Sequence, residues 1–249
     1  MTTILVPYHQ DVRLADDDIP VRADTTVRPE LPDGDVWSQV AAVCGATADA
    51  VAPVVAAGRV PTVFSGDCLV AGGVVAGAQR VGVDPAIVWF DAHGDVHTLE
   101  TTTSGYLGGL ALRVVTGAHP DRYADGFGLR PLAPERAVLV DARDLDPAEA
   151  EYLETGRTGR IPVSDVSAGT VPPGPLVLHL DVDVIDAREV PGLRFPASQG
   201  PTTDAVLAAC ARLLATGRVV AVSVACPWWP ARDDDERAVR ARLISRLSS

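Results

Sequence analysis

Trp89-Phe90-Asp91-Ala92-His93-Gly94-Asp95 sets two aspartates around a histidine at two-residue spacing, directly after the apolar run 86–90. Residues i, i+2 and i+4 of an extended segment point to one side. If the strand ends there and the chain stays extended, Asp91, His93 and Asp95 face one point. A carboxylate, an imidazole and a second carboxylate converging on a point suit a hard-to-borderline metal ion. A second acidic pair, Asp181-Val182-Asp183, follows another apolar run at 176–180. Alone, such a pair often caps the next helix. Together the two clusters predict a site for two metal ions, with Asp91 and Asp181 free to bridge.

Working outward, short apolar runs alternate with helical patterns along the chain. Strands are expected at 4–7, 60–64, 86–90, 137–140, 161–163, 176–180 and 218–224. Helices are expected at 36–57 (capped by Asp35 and stopped at Gly58), 69–81, 106–116, 146–154 with Pro147 at its first position, 203–216 and 233–247. The glycines at 72, 73 and 77 predict close packing of the second helix on a sheet. Residues 13–34, 96–105 and 186–201 read as irregular.

Most of the strand runs are continuous Val/Ile/Leu rather than alternating, which marks strands buried on both faces. The fold class is therefore α/β, a three-layer αβα arrangement with a mainly parallel central sheet. No linker or composition shift interrupts it, so residues 1–249 are expected as one domain. Ser65-Gly66-Asp67-Cys68, Asp91–Asp95, Asp141–Asp144 and Asp181–Asp183 all follow strands. In open parallel sheets ligands bind outside the carboxyl ends of the strands.

The 249 residues carry a formal net charge of −12. That surface argues against nonspecific binding to nucleic acid or to an anionic membrane. No stretch reads as long enough to span a membrane, and the start of the chain lacks a basic region followed by a long apolar core. Cys44, Cys68, Cys210 and Cys226 are widely spaced and form no CxxC motif. The expectation is a cytoplasmic protein with reduced thiols that acts on a small molecule.

Cys68, Asp91, His93, Asp95, Asp181 and Asp183 offer four carboxylates, one imidazole and one thiol. Four adjacent carboxylates cannot all ionise without cations. Two divalent ions about 3.5–4 Å apart resolve that repulsion and lower the pKa of a shared water. The resulting hydroxide attacks an electron-poor carbon such as a guanidinium, amidine or amide, and a carboxylate relays the proton to the leaving amine. His97 lies close enough to the cluster in sequence to contact a substrate. His9, His119 and His179 are not expected as ligands; His179 reads as a core histidine or one supporting a ligand.

These residues resemble the ureohydrolase superfamily of arginases, agmatinases and formiminoglutamases. Ser65-Gly66-Asp67-Cys68 is similar to its Gly-Gly-Asp-His motif, Asp91-Ala92-His93-Gly94-Asp95 to its Asp-Ala-His-x-Asp, and Asp181-Val182-Asp183-Val184-Ile185-Asp186 to its Asp-x-Asp-x-x-Asp-Pro. Thr101-Thr102-Thr103-Ser104-Gly105 resembles the arginase loop that holds the amino-acid end of the substrate. The resemblance implies two manganese ions per chain. One would be held by Cys68, Asp91, Asp95 and Asp181, the other by His93, Asp91, Asp181 and Asp183. Asp95 would orient the hydroxide and pass on its proton; His97, from its nearness to the cluster and not from the resemblance, is expected as a second catalytic group. Ser104, His97 and Tyr106 would bind substrate, and homo-oligomers are common in the family.

The chain departs from that pattern at five places. Cys68 stands where the family usually has histidine, as it does in the hydroxyarginine hydrolase of cycloserine biosynthesis; a thiolate suits zinc or another softer divalent ion better than manganese. His97 and Tyr106 stand at positions of asparagines. Gly108 stands where arginases have a proton-shuttle histidine. Ser223-Val224-Ala225-Cys226-Pro227 lacks the glutamate that pairs with a guanidinium. The resulting expectation is a binuclear metal-dependent hydrolase of a C–N bond in a small guanidino, amidino or N-hydroxyguanidino compound. An amide hydrolase of deacetylase type, or a catalytically weak metal-binding homologue, is the alternative.

Overall fold

The computed structural model describes residues 2–15 and 17–247. Its elements follow in chain order: β1 (Thr2–Val6), β2 (Tyr8–His9), β3 (Val12–Arg13), β4 (Thr25–Thr26), α1 (Val36–Ala56), β5 (Pro61–Ser65), α2 (Val70–Arg80), β6 (Ala86–Asp91), α3 (Ala111–Val115), β7 (Ala137–Asp141), α4 (Pro147–Glu154), β8 (Gly159–Ile161), β9 (Leu176–Asp181), α5 (Thr203–Leu214), β10 (Val219–Ala225) and α6 (Asp234–Leu247). Eight strands form one sheet in the order β4-β1-β5-β10-β9-β6-β7-β8. Every pairing in it is parallel.

Alternate residues of each strand feed two cores. Ile4, Val63, Ile87, Trp89, Leu139 and Val177 pack with α1, α2 and α3 on one face. Leu5, Phe64, Val88, Phe90, Val140 and Leu178 pack with α5 and α6 on the other. Both faces of the sheet are dry, which is why its strands read as unbroken apolar runs. Asp91 follows Trp89 by two, and Asp181 follows Val177 by four, so both carboxylates leave the sheet on the α1–α2 side.

Several elements differ from expectation for identifiable reasons. The stretch 13–34 is not wholly irregular: it begins at the end of the β2–β3 hairpin, and β4 within it adds an edge to β1. Strands of two residues show no periodicity. The strand expected at 161–163 lies at Gly159–Ile161 instead, because Pro162 has no N–H for the ladder. The helix expected from Tyr106 begins at Ala111, after a 3₁₀ turn at Gly108–Leu110. Contrary to the sequence reading, α1 is long and apolar enough to span a membrane, with 21 residues and a mean hydropathy of 1.5 in its most apolar window. Its apolar face is used inside the fold: Trp37, Val40, Cys44, Ala48 and Val51 are buried in the core.

Of the glycines of α2, Gly73 and Gly77 serve approach to α1 rather than to the sheet, and Gly72 lies against the Tyr123 side chain. A Cβ on Gly73 would stand 2.6 Å from the carbonyl oxygen of Cys44, and one on Gly77 would stand 2.7 Å from Val51 Cβ, both in α1. The partner at Gly73 is backbone, so α1 as a whole has to retreat. Gly73→Ala is therefore expected to lower stability by about 1–3 kcal/mol through overpacking, despite alanine's higher helix propensity. Denaturant unfolding measures this; an unchanged or raised midpoint would contradict the close-approach account.

Candidate metal centre and active site

β5, β6 and β9 end beside one another around β10, and the loops that leave them build one cavity of about 190 Å³. Cys68, Asp91, His93, Asp95, Asp181 and Asp183 all line it, together with His97, Ser104, Tyr106 and Gly108. Asp91 ends β6 with both carboxylate oxygens engaged. The backbone N–H of His93 donates to Oδ1 at 2.7 Å and Trp89 Nε1 donates to Oδ2 at 3.1 Å. His93 Nδ1 lies 3.2 Å from Asp183 Oδ2 and 3.4 Å from Asp91 Oδ1. Across the sheet, Cys68 Sγ donates to Asp181 Oδ2 at 2.8 Å, and Asp181 Oδ1 accepts from the N–H of Asp183 at 2.8 Å. The N–H of Ala92 donates to Asp183 Oδ1 at 3.2 Å, tying the two loops together.

Convergence is achieved by a bend, not by the continued strand the spacing suggested. β6 stops at Asp91, and Asp95 adopts a left-handed backbone with φ +54°. The reversal is held from outside, since the carbonyl of Asp95 accepts from Arg113 N at 3.0 Å and that of Gly109 from His97 N at 3.0 Å. Asp95 Oδ2 is buried and has no hydrogen-bond partner among the described residues.

Electrostatics follow from this crowding. Burial raises the pKa of Asp95, and the charges of Asp91 and Asp181 raise it further. Burial, then Asp183 and Asp91, raises that of Asp181. Asp183 is pushed up to about 6, by burial and then by Asp91. Burial pushes up the Cys68 thiol, and the Asp181, Asp95 and Asp91 charges add to it. Burial opposes charge on His93, but hydrogen bonds and charge from Asp183 and Asp91 prevail and push it up to about 12. Burial and mutual repulsion thus favour the protonated forms of Asp95, Asp181 and Asp183. Buried acids with raised pKa, an unpartnered Asp95 oxygen and a thiol beside them form a donor set that fits divalent ions in place of those protons.

Two donor groupings are close enough to share an ion: Asp91, His93 and Asp183, and Cys68, Asp91 and His179, each with its donor atoms within 4.8 Å of one another. Asp91 belongs to both. His179, set aside in the sequence, is buried, and burial pushes its pKa down to about 3.

Asp144 and Thr102, from the strand-end cluster and loop that the sequence marks, also line the cavity, and with them residues it does not mark: Asp146, Glu149, Gly109, Phe195 and Pro227. Glu149 Oε2 accepts from Asp146 N at 3.1 Å and Oε1 from Val96 N at 3.4 Å, so the first turn of α4 grips the loop after Asp95. Aspartate followed three residues later by glutamate was the available signal; it reads as a capping box and conceals a wall. His97 bridges Thr101 Oγ1 and Asp146 Oδ2, each at 3.1 Å. Tyr106 donates to Asp67 Oδ2 at 3.2 Å, and its ring packs on Phe195 at 4.6 Å. A Cβ on Gly108 would meet the Tyr106 ring at 2.4 Å, so this tyrosine fills the space a larger residue at 108 would need. Arg143 donates to the carbonyls of Val184, Ala197 and Ser198 and fixes the loop bearing Phe195.

A mainly parallel αβα fold with acids and histidine gathered at the strand ends matches the ureohydrolase superfamily. Residues 6–247 match the Arginase family, and the chain belongs to that family. It is 31% identical to the arginase of Eremothecium gossypii over 192 residues, covering 71% of this chain and 48% of that protein. It is 37% identical to the N(omega)-hydroxy-L-arginine amidinohydrolase of Streptomyces lavendulae over 112 residues, covering 43% of this chain and 39% of that protein. The chain thus spans about half the length of the curated relatives it matches, or less. The crystal structure of arginase from Bacillus cereus superposes with a TM-score of 0.80 at 23% identity, covering 99% of this chain and 97% of the other. Arginases of this family normally hold two manganese ions.

A divalent ion entering the cluster has to displace protons from acids whose pKa is raised. Affinity for Mn²⁺ or Zn²⁺ is therefore expected to weaken as pH falls through about 6 and to strengthen as it rises toward 8, with protons released on binding. Calorimetric titration at one pH in two buffers of different ionisation enthalpy reads this directly. Equal heats in the two buffers would contradict it.

Proposed function

We propose that the chain is a binuclear-metal hydrolase of a C–N bond in a small guanidino, amidino or N-hydroxyguanidino compound. The single observation that carries this reading is the convergence of Cys68, Asp91, His93, Asp95, Asp181 and Asp183 on one cavity. Cys68, Asp91, Asp95 and Asp181 would hold one ion; His93, Asp91, Asp181 and Asp183 would hold the other. Manganese is the family's usual metal, and Cys68 favours zinc or another softer ion on its side. Two such ions supply Lewis acidity and a nucleophilic oxygen near neutral pH.

The chain's own residues supply the rest. Asp95 Oδ2, buried and unpartnered, accepts a proton as water adds to the substrate carbon. As the C–N bond breaks, a proton must reach the leaving amine; His97, on the cavity wall between Thr101 and Asp146, is placed to carry it. Tyr106 and Phe195 form an aromatic wall against which an alkyl chain packs. At the mouth, Asp144 and Asp146 offer negative charge to a substrate ammonium, and Thr102 and Ser104 offer hydroxyls to a carboxylate. An α-amino acid fits both demands.

The head-group wall is contributed by Pro227, just past β10, and no acid of 223–227 lines it. A fully charged guanidinium finds no paired carboxylate there, whereas a less basic N-hydroxyguanidine loses less by that absence. The similarity to the Streptomyces lavendulae enzyme supports the same substrate class.

Metal-loaded protein is expected to release hydroxyurea and ornithine from N-hydroxy-L-arginine with kcat/KM at least tenfold above that for urea release from L-arginine, a difference of about 1.4 kcal/mol in transition-state binding. A panel of arginine, N-hydroxyarginine, agmatine and formiminoglutamate, scored for urea and amine release, tests this. Absence of turnover across the panel by protein that carries its ions would overturn the proposal.

A further inference from the structure

His179 lies in β9, two residues before Asp181, with its ring fully buried. Its side chain therefore stands on the face of the sheet that carries Asp181, directly below the cavity floor. On β6 the Trp89 ring stacks on it at 3.8 Å, tilted by 33°. On β10 Ser223 Oγ lies 3.1 Å from Nδ1. Nε2 is buried and has no hydrogen-bond partner among the described residues. A buried polar atom left bare is costly, so the site needs an occupant for that lone pair. Cys68, Asp91 and His179 each offer a donor atom, a sulfur, a carboxylate oxygen and a ring nitrogen, within 4.8 Å of one another.

We propose that His179 Nε2 is a ligand of the ion on the Cys68 side of the centre, completing a thiolate–imidazole–carboxylate set with Cys68 and Asp91. Nδ1–H donates to Ser223 Oγ, which fixes the tautomer and leaves the Nε2 lone pair for the ion. Trp89 positions two of the three donors, stacking on the imidazole and donating from its indole N–H to Asp91 Oδ2. One sulfur, one nitrogen and carboxylate oxygen are the donors of a zinc site. The half built by His93, Asp91 and Asp183 keeps a single imidazole among carboxylates and suits a harder ion. The two halves therefore differ in metal preference, zinc being favoured where Cys68 and His179 meet. The inference rests on the reading of the centre as metal-binding.

Zinc K-edge X-ray absorption on the full chain loaded with one equivalent of Zn²⁺ tests it, in wild type and in a His93→Ala/His97→Ala variant. The variant removes the two imidazoles that line the cavity, and leaves His179 beneath it. The expected result is one sulfur at about 2.3 Å and one imidazole in the variant. Sulfur without imidazole overturns the proposal and leaves the metal centre standing. Loss of zinc from the variant alone also overturns it, because Cys68, Asp91 and His179 all remain. Wild type that binds no zinc and no manganese overturns both readings together.

Discussion

Burying carboxylates side by side is unfavourable unless something of opposite charge joins them, and this chain buries four at the ends of two adjacent strands. Asp91, Asp95, Asp181 and Asp183 share one cavity, and three of them hold their protons more tightly than a solvated acid would. The surrounding structure is arranged to hold this repulsion in place. β6 and β9 pair in register through Trp89 and His179, which fixes the distance between the two acidic loops. Backbone N–H groups of Ala92, His93 and Asp183 point at the carboxylates, and the loop that returns from Asp95 is tied to Arg113 and to Glu149 in α4. A fold that spends so many contacts on keeping like charges together gains nothing in stability from doing so; the arrangement makes physical sense as a seat for cations.

The walls above that seat are where the chain differs from the arginase pattern. Tyr106 lies over Gly108 and hydrogen-bonds to Asp67, so the space of a histidine at 108 is taken by a phenol held from the side. His97 is bridged to Asp146 and brings an imidazole to the wall from another position in the loop. These changes leave the four carboxylates of the floor in place and alter the shape of the walls above them.

Much of the fold was legible because it is written in long, uniform patterns. Buried strands such as 86–90 and 176–180 are almost wholly apolar runs, and Asp35 marks a helix start by accepting from the backbone N–H of Ser38. What escaped the sequence reading is short or depends on distant partners. β3 and β4 have two residues each, too few for a period. Gly73 and Gly77 are visible as small residues, but only the structure tells that they meet α1 rather than the sheet. The acidic motifs gave their residues, while the bend at Asp95 is imposed by Arg113 eighteen positions away. Phe195 left no signal, since it reaches the cavity from an irregular loop pinned by Arg143. His179 was passed over because a histidine inside a strand reads as packing until Cys68 and Asp91 are seen beside it.

The central claim is that the two acidic loops together seat two divalent ions. Metal content of the purified full chain, read by elemental analysis after loading with Mn²⁺ or Zn²⁺ and removal of excess, tests it most directly in wild type and Asp183→Ala. The account predicts about two ions per chain in wild type and about one in the variant, which keeps the Cys68 side and loses a ligand of the other. Equal metal content in the two proteins, or none in either, would contradict it.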